Sequence, residues 1–192
     1  NKDGRRRLIW IIAALLIAGT SLMWWAVHKA DRSMRSELLQ EARIAAQSVS
    51  LNQLQSLTGT TVDINTPVYL KLKKQLSAIK RAHPRCRFAY VMGRKPDGQV
   101  FFFADNEPVG SKDESPAGQI YAEIPPEYLM VFDKKISITV GPVTDRWGIW
   151  VTALIPLIDP ASGKLIAVLG MDIDARAWSW DVASQAAIPV GL

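Results

Sequence analysis

Charge is missing altogether from residues 8–27 (LIWIIAALLIAGTSLMWWAV), and cysteine and histidine are almost missing from the whole chain of 192 residues. A single cysteine, Cys86, excludes an internal disulfide framework. The two histidines, His28 and His83, stand far apart with no cysteine or carboxylate cluster at ligand spacing, so no metal site is expected. No Ser/His/Asp order, glycine-rich phosphate loop or paired-carboxylate motif is present, so neither catalytic residues nor a cofactor are expected. The net charge of +5 is mild and dispersed. Its densest stretch, Lys71, Lys73, Lys74, Lys80, Arg81, Arg85 and Arg87, reads as a solvated helix face, with anionic lipid or an anionic ligand as the alternative. Nucleic acid is not an expected partner.

The uncharged run is what the chain has in place of these features. At about 1.5 Å per residue, a helix over residues 8–27 just crosses the roughly 30 Å hydrocarbon layer of a bilayer. Its Leu, Ile and Val residues each favour insertion by about 0.3–0.6 kcal/mol. Trp10 near one end and Trp24–Trp25 near the other suit the two interfacial belts. A cleaved signal peptide is the competing reading. It wants an apolar stretch of about 7–15 residues and a small-residue cleavage site, where this chain has Trp24, Trp25, Val27 and His28. Arg5, Arg6 and Arg7 favour a cytoplasmic N terminus, against Lys29, Arg32 and Arg35 on the other side. Charge fades again over residues 182–192, which read as the opening of a second span or as an ordinary C-terminal helix.

Between these ends the pattern is mixed. Leu38, Ala42, Ala45 and Val49 recur at four- and three-residue intervals, giving a helical seam over 31–57 that can pack on the chain's own sheet or on a second copy. Thr66-Pro67 opens another helix, with Tyr69, Leu72, Leu76 and Ile79 on one face, and Pro84 ends it. Strands are expected at 87–94, 99–105, 136–141, 148–157 and 164–172, and a short helix at 125–134. The segment 106–123 is long, polar and rich in Gly, Pro and Ser, a composition typical of functional loops. The strands 148–157 and 164–172 alternate with apolar residues on both faces, as central strands covered on both sides do. An α+β fold follows: a five-stranded antiparallel sheet with long N-terminal helices on one face and a loop-roofed cavity on the other.

The run RFAYVMGR…DGQVFFFADNEP…SPAGQIY…GPVTDRWGIWVTALIPLIDPASGKLIAVLGMDID resembles the PAS-like Cache, or PDC, sensor domains of bacterial transmembrane receptors such as sensor histidine kinases and diguanylate cyclases. That resemblance implies a domain organisation: a cytoplasmic basic segment (1–7), a membrane span (8–27), a signalling and dimerisation helix (28–58), a sensor domain (59–178) and the start of a second span (179–192). It implies a sensor outside the inner membrane, a homodimer through 31–57, and a small-molecule ligand bound between sheet and roof. Asp172 falls where such domains place a carboxylate that meets a ligand's amino or hydroxyl group. Capping a helix or pairing with Arg176 is its bland alternative. Gly170, two residues earlier on the same face, would leave room for the ligand. Strand alternation puts Tyr90, Asp105, Trp150 and Thr152 toward the same cavity, while Trp147 before Gly148 reads as a packing anchor. The output module, a kinase or a cyclase, would lie outside this sequence. A pilin-like subunit wants an acidic residue early in the apolar run, and a periplasmic enzyme wants a catalytic constellation. Neither is present.

Overall fold

A computed structural model describes residues 2–187. Its elements run α1 (Lys2–Gln47), α2 (Leu51–Gln55), a single 3-10 turn (Thr61–Asp63), α3 (Pro67–Ala82), β1 (Cys86–Arg94), β2 (Val100–Asp105), α4 (Pro126–Lys134), β3 (Ile138–Asp145), β4 (Gly148–Ile158), β5 (Leu165–Asp174) and α5 (Ala175–Ala187). Arg35–Trp178 forms one compact unit, and the flanking residues form another.

In the flanking unit, α1 contains a segment of mean hydropathy 2.0, none of it buried, long and apolar enough to cross a membrane. Its Leu, Ile and Trp side chains between Leu8 and Trp25 face outward. The expected second span begins within α5, and residues 188–192 lie outside the described residues.

In the other unit the strands pair antiparallel in the order β2-β1-β5-β4-β3, the expected five-stranded sheet. Its three inner strands, β1, β5 and β4, are buried over most of their length. One face carries Ala89, Val91, Val151, Ala153, Leu169, Met171 and Ile173, all buried, and the helices cover it. α3 is capped by the Thr66 hydroxyl, which accepts from Tyr69 N–H, and starts on Pro67, whose missing N–H costs nothing at that position. The opposite face carries an aromatic cluster of Phe88, Tyr90, Phe102 and Trp150, roofed by Tyr121 and by Tyr128, Val131 and Phe132 of α4. At about 1.5–3 kcal/mol per fully buried large apolar side chain, these two layers supply most of the drive to fold.

Three details differ from the sequence expectation. The helix expected over 28–58 ends at Gln47, because Ser48 folds back on Ala45: both its N–H and its hydroxyl donate to that carbonyl, and α2 restarts at Leu51. The seam of Leu38, Ala42, Ala45 and Val49 is buried within this one chain, so the option of a second copy on that seam is closed. Finally, β3 does not stop at Gly141. Its register slips between Val140 and Val143, so Pro142 sits where the ladder needs no N–H, and pairing with β4 resumes to Asp145. Segment 106–123 is ordered by its own bonds. Gly118 N–H donates to Phe102 C=O, and Gln119 C=O and Tyr121 N–H bond Phe102 and Val100, laying the segment alongside β2.

Candidate ligand-binding site

On the roofed face a cavity of about 20 Å³ opens between the sheet and segment 106–123, roughly the room one water molecule needs. Phe88, Tyr90 and Asp172 line it from the central strands, and Phe102 and Asp105 from β2. Asp113, Ser115 and Tyr121 come from the roof, and Asp145 and Trp147 from the tight turn joining β3 to β4. Phe102, Tyr121 and Trp147 pack on one another, with ring centroids 5.2, 5.9 and 6.1 Å apart.

Asp172 is the chemical centre of this wall. It is 5% exposed, and Oδ1 accepts from the Tyr90 hydroxyl at 3.0 Å and the Thr152 hydroxyl at 2.7 Å. Tyr128 Oη donates in turn to Thr152 Oγ1 at 2.8 Å. Among the described residues Oδ2 takes no hydrogen bond and no Lys or Arg forms an ion pair with the carboxylate. Burial pushes its pKa up to about 7, against the two hydroxyl bonds that stabilise the anion. Helix capping belongs to its neighbour Asp174, whose Oδ1 accepts from Arg176 and Ala177 N–H.

The other carboxylates are tied down. Asp145 accepts from Tyr121 Oη (2.8 Å), Trp150 Nε1 (2.9 Å) and the N–H groups of Trp147 and Gly148. Asp105 takes Lys73 Nζ at 3.0 Å and the N–H groups of Ser115 and Glu107. Burial still raises the Asp105 pKa above its ordinary value, outweighing those donors. Lys73 also holds Glu114 at 2.8 Å and is itself 7% exposed, so it is no solvated helix lysine. Asp113 is paired with Arg87 at 2.9 Å.

Of the five residues expected from the sequence, Tyr90, Asp105 and Asp172 border the cavity. Thr152 lies behind Asp172 as its hydrogen-bond donor, fully buried. Trp150 packs on Phe88 and bonds Asp145 rather than lining the space. Gly170 does make room, but for Tyr90: a Cβ there would sit 2.3 Å from the Tyr90 ring, which lies across the glycine to bring its hydroxyl to Asp172. Trp147 packs against Phe102 and Tyr121 and also borders the cavity. Sequence reasoning missed Asp145, because β3 was expected to end before it. It missed Asp113, Ser115 and Tyr121 because loop residues carry no period that shows their direction.

No family model matches the sequence, and comparison with curated proteins finds no match. The solved structures do resemble it. The sensory domain of the Campylobacter jejuni chemoreceptor Tlp3 superposes with a TM-score of 0.57 at 13% identity, over 87% of this chain and 63% of that one. The same sensory domain with isoleucine bound gives 0.56 at 14% identity, over 89% and 64%. Its ligand-binding domain in complex with L-valine gives 0.57 at 13% identity, over 89% and 64%. The fold is that of a chemoreceptor sensory domain. This agrees with the Cache resemblance, while the chain spans less than two thirds of the length of each of these domains.

Proposed function

We propose that this chain is the extracytoplasmic ligand-sensing part of a bacterial membrane receptor, held in the inner membrane by residues 8–27. A small molecule binds over the sheet, and its binding shifts the populations of two helix arrangements that a cytoplasmic output module reads. The observation that carries this reading is Asp172: a buried carboxylate with an unbonded oxygen at the floor of an aromatic cavity, where a merely structural acid would be paired or replaced. Tyr90, Thr152 and Asp105 fix that floor, and Trp150 supports it through Asp145 and Phe88. The chemoreceptor domains of the same fold that bind isoleucine and L-valine support the reading. If copies pair through 31–57, they use the exposed Glu37, Gln40, Arg43 and Ile44, since the seam is occupied.

A thermal-shift screen of amines, amino acids, organic acids and polyols on the detergent-solubilised chain tests it. A ligand that binds the folded state raises Tm by mass action. At least one compound is expected to do so in the parent and not in Asp172→Asn. A screen in which every shift survives that substitution would remove the site.

A further inference from the structure

We propose that the cavity at Asp172 selects small organic cations that carry no carboxylate, such as simple or methylated ammonium compounds, over amino acids. The inference rests on the sensing function above and narrows its ligand class.

The charge arrangement carries it. Among the described residues the cavity lining includes four carboxylates and no Lys, Arg or His. A zwitterionic ligand needs a cation to receive its own carboxylate, and a buried anion without one is costly by several kcal/mol. The basic groups around the wall are already engaged. Arg87 is held by Glu107 and Asp113, and Lys73 by Asp105 and Glu114. Arg146, whose guanidinium lies 5.0 Å from the Trp147 ring centre, is clasped by both oxygens of Glu123 at 2.6–3.2 Å. Asp172, 5% exposed, lines the cavity, and among the described residues its Oδ2 takes no hydrogen bond.

The rings supply the complementary half. Phe102, Tyr121 and Trp147, packed on one another, line the cavity together with Tyr90, Phe88 and Asp172. Ring faces attract a desolvated alkylammonium and offer nothing to a carboxylate. At about 20 Å³ the cavity has room for one water-sized group such as an ammonium head. The Trp147 and Tyr121 rings sit on segments joined by the Tyr121–Asp145 hydrogen bond and the Glu123–Arg146 pair.

Matched pairs test the class on the full chain in detergent micelles, by calorimetry and tryptophan fluorescence. Ethanolammonium is compared with glycine, and choline with glycine betaine, each pair differing in the carboxylate; glycolate is the anionic arm. At least one cation is expected to bind about tenfold or more tightly than its zwitterionic partner, and Asp172→Asn, checked for an unreduced Tm, is expected to abolish that binding. Tighter binding of glycine, glycine betaine or glycolate overturns the cation class and leaves the sensing function standing. Cation binding unaltered in Asp172→Asn also overturns it. Silence of every compound to about 10 mM overturns the class, and silence of the broader thermal-shift screen as well removes the sensing function with it.

Discussion

Asp172 weakens the fold that holds it. Its pKa of about 7 stands above the ordinary 3.8, so between those values the folded chain keeps a proton that the unfolded chain has lost. Stability from this group is therefore full below about pH 4 and falls as pH rises toward about 7, by roughly 4 kcal/mol as an upper bound. Asp172→Asn keeps an acceptor for Tyr90 and Thr152 without the charge. It is expected to raise Tm by several degrees at pH 8 and by clearly less at pH 5, read by calorimetry at both values. Binding of a cation runs the other way and strengthens as pH rises through about 7. Asp145 faces the same carboxylate and raises its pKa slightly further, whereas burial holds Tyr90 and Tyr128 well above the ordinary phenol value, so neither titrates in that range. Gly170→Ala makes a separate case. Its new Cβ strikes the Tyr90 ring, and a loss of about 1–3 kcal/mol in chemical denaturation is expected, together with loss of ligand response as the Tyr90 hydroxyl leaves Asp172.

At the scale of elements, Lys73 is the most buried of the side chains that pin α3 to β2 and the loop after it, beside Ser77 and Lys80. Lys73→Met leaves the Asp105 and Glu114 carboxylates buried without their cation, and a destabilisation of about 3–5 kcal/mol in urea is expected, with hydrogen exchange rising first over 105–115. Ala45→Arg places a long charged side chain in the seam that this chain already fills, so a lowered Tm is expected, measured on the same protein by thermal unfolding. The same two positions show what the sequence could and could not tell. The spacing of Leu38, Ala42, Ala45 and Val49 marks a buried stripe without saying which surface buries it. Lys73 sits one place off the apolar face of Tyr69, Leu72, Leu76 and Ile79, where a lysine normally reaches water. Its partners are 32 and 41 residues away, and no local pattern reports them. The strands were legible because period-two alternation is local. Asp172 was legible as a candidate through the Cache resemblance and Tyr90 through strand alternation; Asp145 was not, since a proline normally ends pairing and here a register slip carries the strand past it.

The chain carries a folded unit, Arg35–Trp178, and a helix whose apolar segment is unburied among the described residues. In membranes from expressing cells, the full chain is expected to stay in the pellet after alkaline carbonate extraction, and a form lacking residues 2–27 to move to the supernatant. Full release of the intact chain would exclude anchoring by this helix. Confinement to a surface also concentrates neighbours, which makes the outer strands of the sheet a hazard, because unpaired peptide groups invite strand exchange between copies. Both flanks are partly covered from within. Residues 118–121 bond along β2, and on the far side Arg35 Nη2 donates to Gly141 C=O at 2.9 Å while the Thr139 hydroxyl donates to Arg35 C=O. Copies held at high density therefore meet sheet edges that are already partly engaged, which leaves less of the backbone open to strand exchange.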